Sequence, residues 1–125
     1  MSARENALYK LGIPCVIFFK LKTKCSACDE FTPIWEQLCS EPRFMGKVMF
    51  IRYAFGEDPA TGRYHHLNDT YKSIVDKYQR VPVFIIHLPH DKGIIDLGIG
   101  PRVRSFENMR DVIIRALGES GGYNI

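Results

Sequence analysis

The sequence predicts an α/β domain in which one mixed, four-stranded sheet is flanked by helices on both faces. Three observations carry this. Apolar runs rich in β-branched and aromatic residues, at Cys15–Phe19, Val48–Tyr53, Val81–Ile86 and Ile94–Leu97, have the length of strands. Stretches with apolar residues at three- and four-residue steps lie between them and after the last. A βαβ unit followed by a helix and a hairpin then builds a sheet with both parallel and antiparallel pairs. The length of 125 residues suits a single domain over residues 1–125, with its core at about 13–117; domains usually run to roughly 100–200 residues.

Taken in order, residues 4–11 predict a short helix with Ala7, Leu8 and Leu11 as its apolar stripe, ended by Gly12 and Pro14. Cys15–Phe19 is a continuous apolar run, which fits a strand covered on both faces. Lys20 to Lys24 leads into Cys25. From Ser26 the pattern turns helical, with Ala27, Phe31, Ile34/Trp35 and Leu38 on one side. Pro33 within it predicts a kink and not a stop. Val48–Tyr53 is the second strand, and the turn-rich segment Gly56–Asn68 reads as a surface loop. Asp69 caps a helix whose apolar face is Tyr71, Ile74, Val75 and Tyr78.

Pro82 opens the third strand, where a missing N–H is tolerated. Asp91-Lys92-Gly93 supplies a hairpin turn into Ile94–Leu97. Ser105 caps a last helix with Phe106, Met109, Val112, Ile113 and Leu117 facing inward, and Gly118–Ile125 reads as a frayed tail.

Composition narrows the function. Hydrophobic residues make up 46% and charged residues 25%, an ordinary globular balance. The net charge of +3 is too diffuse to argue for nucleic acid. Lys20, Lys22 and Lys24 form the one dense basic run, without interleaved aromatics, and read as a solvated strand end. No stretch approaches the ~18–20 apolar residues of a membrane span. Residues 1–10 are polar and lack an apolar signal core, so the cytoplasm or another reducing compartment is expected.

Of the four cysteines, at 15, 25, 28 and 39, two form Cys25-Ser26-Ala27-Cys28. A C-x-x-C after a strand and opening a helix reads first as a redox motif. A thiol titrates near ~8.5, and a helix N-terminus lowers that value because its unpaired N–H groups favour negative charge. Cys25 is placed to be the nucleophile, and Cys28, about one turn on, to resolve the mixed disulfide. Zinc would need a second ligand pair, which Cys15, Cys39, His65–His66 and His87/His90 do not supply at suitable spacing. No metal and no cofactor is therefore expected. Trp35 falls on the apolar stripe and reads as packing. Cys15 and Cys39 read as sheltered, inert thiols, His65–His66 as part of a solvated loop, and Tyr53, Tyr64, Tyr71 and Tyr78 as packing groups.

These residues resemble the thioredoxin superfamily over Cys15 to Leu117. Cys25-Ser26-Ala27-Cys28 matches the family's C-x-x-C. Pro33, five residues beyond Cys28, matches its helix-kinking proline, and Val81-Pro82 its cis-proline loop. Gly98 or Gly100 resembles the glycine near the end of the last strand. The resemblance implies a thioredoxin-like fold and thiol–disulfide exchange with protein substrates. Cys25 is then the nucleophile and Cys28 the resolving thiol. Pro82 would be cis and packed against the cysteines, and the Val81 backbone would pair with an extended substrate. Lys24, Ser26 and Ala27 complete the implied substrate surface, with a reductase or oxidase as electron partner.

The sequence also departs from the family. Lys24 stands where thioredoxins carry Trp, and Ser26-Ala27 where they carry Gly-Pro. Phe19 stands where they carry the buried Asp that helps to deprotonate the second cysteine, which leaves resolution to another base or to a slower step. Lys22 resembles the glutathione-contacting lysine of glutaredoxins, so glutathione stays open as a ligand, although the Gly-Gly and Asp of that family are not evident here. A non-catalytic binding or adaptor module on the same fold is the alternative reading.

Overall fold

The computed structural model describes residues 12–22, 25–57, 64–65 and 69–125. The helix expected over residues 4–11 and the side chain of Lys24 lie outside them. Five strands form one sheet: β1 (Cys15–Leu21), β2 (Met49–Glu57), β3 (Tyr64–His65), β4 (Val83–His87) and β5 (Ile94–Gly98). Their spatial order is β3-β2-β1-β4-β5. Three helices accompany them: α1 (Ser26–Cys39), α2 (Asp69–Tyr78) and α3 (Phe106–Gly121).

β1 lies at the centre because it is apolar on both sides. It pairs in parallel with β2, from Cys15 opposite Met49 to Leu21 opposite Phe55. On its other edge it pairs antiparallel with β4, from Cys15 opposite His87 to Phe19 opposite Val83. β4 returns through a turn into antiparallel β5, with a register irregularity at Phe84/Ile85. In that turn Gly93 has φ 100°, and the Leu88 N–H donates to its carbonyl at 2.9 Å.

The two-residue alternation of a strand sorts β1 between two cores. Val16 and Phe18 face α1 and α3, joining Phe31, Trp35, Leu38, Phe84, Met109, Ile113 and Leu117. Ile17 and Phe19 face α2 with Tyr71 and Val75. Helices thus cover both faces of the mixed sheet. Each fully buried side chain of this size contributes about 1.5–3 kcal/mol. Phe18 centres an aromatic group: its ring lies 5.2 Å from Phe31, 5.2 Å from Trp35 and 5.4 Å from Phe84. Offset and edge-on arrangements of this kind add to the burial term.

Four local expectations are corrected. The segment Gly56–Asn68 is not loop throughout, since Gly56 and Glu57 continue β2 and pair with His65 and Tyr64 of β3. This fifth strand is too short to show as a hydrophobic run. Asp69 is the first residue of α2 and not its cap. Val112 is only half-buried, whereas Ile114 and Ala116 pack against the core. Gly118–Ile125 is not a frayed tail. α3 runs to Gly121, Gly122 turns the chain at φ 69°, and the Tyr123 N–H donates to Leu117 at 3.1 Å. Tyr123 and Ile125 then pack on the core, and Arg43 donates to the Ile125 carbonyl at 2.8 Å.

Candidate active site

The end of β1 is held by the Lys22 N–H, which donates to the Phe55 carbonyl at 2.9 Å. Cys25 stands as the N-cap of α1. Its carbonyl accepts the first helical hydrogen bond from the Asp29 N–H at 2.9 Å, and its sulfur accepts from the Cys28 N–H at 3.2 Å. A sulfur thus occupies the place where Ser or Asp oxygens usually satisfy the free N–H groups of a helix start. One turn of helix brings the Cα atoms to 5.1 Å, and Cys25 and Cys28 form a disulfide.

The two cysteines are not equivalent. Cys25 keeps 9% of its surface exposed, whereas Cys28 has none. Ser26 is exposed and Ala27 half-buried on the turn between them. The antiparallel register that sets Phe19 opposite Val83 carries the chain before β4 to the same end of the sheet. Pro82 is buried there, the Val81–Pro82 peptide bond is cis, and Val81 packs against the cluster that holds both cysteines. The structure therefore brings together Cys25, Ser26, Ala27, Cys28, Val81 and Pro82. α1 continues through Pro33.

Beneath the disulfide the surroundings are apolar. Phe18, Phe31 and Phe84 share its cluster, and no polar or charged residue is buried among the described residues. Phe19 lies on the opposite face of the sheet, against Tyr53 and Tyr71. Position 19, where thioredoxins carry their buried Asp, thus faces away from the disulfide cluster. In the first turn of the helix the exposed Asp29 lies 3.9 Å from Lys20 of β1. Such a pair is worth under about 1 kcal/mol.

Beside the first turns of α1 is a cavity of about 100 Å³, lined by Ala27, Glu30, Phe31, Ile34 and Arg104. Arg104 comes from the segment between β5 and α3, and its Nε and Nη2 donate to the Ile99 carbonyl at 3.1 and 2.8 Å. Burial, then the positive charge of Arg80, pull its pKa below the usual arginine value, against the opposing pull of Glu30. Ala27, Phe31 and Ile34 belong to the apolar stripe legible in the sequence, and Glu30 joins them at helical spacing. Arg104 was not, because only the tertiary fold carries it there. Gly100 serves the same approach: it adopts φ 86°, and a Cβ there would meet the Phe84 ring at 3.2 Å.

The remaining candidates stand apart. Trp35 is buried as packing, edge-on to Phe18 and Phe50. Cys39, expected to be sheltered, is an exposed residue at the far end of α1, yet desolvation still raises its thiol above the usual value. Cys15 is half-buried. His65 lies in β3 and His66 outside the described residues. Among the described residues, no group of three or more His, Cys, Asp or Glu is placed to hold a metal, and no helix is long and apolar enough to cross a membrane.

A mixed sheet with this order, helices on both faces and a Cys-x-x-Cys disulfide at the start of α1 defines a thioredoxin-like fold. The structure is similar to the solution structure of an uncharacterised thioredoxin-like protein from Clostridium perfringens, with a TM-score of 0.50 and 23% identity. The match covers 91% of this chain and 79% of that one. No protein-family model and no curated protein matches the sequence.

Proposed function

We propose that this protein is a thiol–disulfide oxidoreductase that exchanges disulfides with protein substrates through Cys25 and Cys28. The observation that carries the reading is the asymmetry of the pair: Cys25, which keeps 9% of its surface exposed, caps a helix, and the fully buried Cys28 lies a turn behind it. In the reducing direction the Cys25 thiolate attacks a substrate disulfide. A bond forms between Cys25 Sγ and one substrate sulfur, and the other substrate sulfur leaves as a thiolate. Cys28, having given up its proton, attacks Cys25 Sγ, closes the Cys25–Cys28 bond and releases the second substrate thiolate. Two electrons pass from the protein dithiol to the substrate disulfide, and an external dithiol or glutathione must restore them. The oxidising direction is the reverse.

Val81 and Pro82 are the proposed docking edge, with Ser26 and Ala27, between the two cysteines in sequence, and Lys24, next to Cys25 in sequence, completing the proposed substrate surface. The Cys25–Cys28 disulfide is itself the proposed electron carrier, with glutathione open as a ligand. A glutathione redox titration tests the reading, with Cys15 and Cys39 replaced by serine and the state of the pair read by alkylation and intact mass. A reversible two-electron transition is expected. A midpoint near about −270 mV indicates a reductase and one near about −120 mV a disulfide donor. A pair that never interconverts overturns the reading.

One observation favours a second reading, a binding module without turnover: no buried charged group is present among the described residues to deprotonate Cys28. On that reading, Cys25→Ser/Cys28→Ser protein retains its partner binding and its biological role.

A further inference from the structure

The cavity beside α1 has features that disulfide exchange alone does not require. Arg104 is held in one orientation by its two bonds to the Ile99 carbonyl. Among the described residues no carboxylate lies within ion-pair distance of it. Its surroundings are partly desolvated, and Arg80 adds a second positive charge against the single negative charge of Glu30. A fixed, partly dry guanidinium that forms no ion pair among the described residues is matched by a carboxylate, which it binds through directed, charge-assisted hydrogen bonds. The volume sets the size of the occupant. About 100 Å³ is well below the roughly 300–1,000 Å³ of a site for a whole small molecule. It suits one side chain. The lining places that side chain next to Ala27, which lies between the two cysteines in sequence.

We propose that this cavity receives an acidic side chain of the protein substrate, near the cysteine under attack, and gives the disulfide site a preference for acidic flanking sequence. This rests on the redox reading above. Arg104 is then a specificity-determining residue and Glu30 its antagonist, which weakens the field at the cavity mouth.

The test uses homodimeric disulfides of short cysteine peptides, with Glu, Gln or Lys placed in turn at each position from two before to two after the cysteine. Reduced protein is mixed with each, and its oxidation is followed by alkylation and intact mass. In at least one register the Glu peptide reacts about tenfold faster than its Gln counterpart, as one charge-assisted hydrogen bond predicts. The Lys peptide is slower than both, and the preference shrinks as salt is raised. Arg104→Gln removes the preference, and Glu30→Gln enlarges it.

Equal rates in every register overturn the proposal, as does a preference that survives Arg104→Gln. Glutathione disulfide outpacing every Glu peptide also overturns it, by assigning the charge to another source. Should Arg104→Gln fail to fold, the exposed Glu30→Gln variant decides: an unchanged preference counts against the proposal. Hydroxyethyl disulfide, small and neutral, separates the two levels. A wild-type protein inert to it and to every peptide overturns the redox reading, and this inference with it.

Discussion

Reducing the Cys25–Cys28 bridge should lower the stability of the fold by about 2 kcal/mol. The bridge joins residues three apart in sequence. In the chain-entropy account, closing so short a loop removes about 6 cal/mol/K from the unfolded ensemble, or about 2 kcal/mol at 25 °C. The folded state bears no matching cost, because the first turn of α1 already holds the Cα atoms 5.1 Å apart, within the ordinary disulfide range. Unfolding 125 residues carries an entropy near ~0.26 kcal/mol/K, so the midpoint should fall by about 8 °C. The assay is thermal and urea unfolding of Cys15→Ser/Cys39→Ser protein, oxidised and then reduced with excess phosphine. The same cycle has a redox consequence: the native couple should be about 40 mV more reducing than the couple in the unfolded chain. A reduced form as stable as the oxidised one, or more so, would refute the reasoning. It would mean that the native state favours the dithiol, and the couple would then be poised to donate disulfides.

Three further outcomes are expected. Trp35→Ala removes the ring that packs edge-on to Phe18 and Phe50 and should destabilise the fold by about 3–5 kcal/mol in urea titrations; a loss below about 1 kcal/mol would contradict its placement. Ser105→Ala frees the Asn108 N–H at the start of α3 and should cost about 1 kcal/mol, with Ser105→Asp retaining most of the stability. Cys39, whose thiol is raised by desolvation, should alkylate with iodoacetamide more slowly at pH 8 than a cysteine in an unstructured peptide, and equal rates would show that its sulfur is not sheltered.

What the sequence determined by itself is local. The apolar run Cys15–Phe19 fitted a strand covered on both faces, because its length and β-branched and aromatic content suit a strand and it has no polar side. The step pattern from Ala27 to Leu38 fixed α1, and with it the placing of Cys25 at a helix start and Cys28 one turn behind. Ser105 marked the beginning of α3 because a hydroxyl there answers an N–H with no helical partner. The two-residue strand β3 escaped notice because two residues are too few to show as a hydrophobic run, and only its pairing with β2 reveals it. The docking of Tyr123 and Ile125 was equally hidden, since it depends on the turn at Gly122 and on Arg43, far away in the chain. Only the tertiary structure decided which way neighbouring residues of β1 face. Strand alternation sends Phe18 to the disulfide and Phe19 to the other core, a difference of one residue that no composition records. The same holds for Arg104. Nothing in its sequence neighbourhood relates it to Cys28, and it reaches the flank of α1 because the segment from β5 to α3 crosses that end of the sheet.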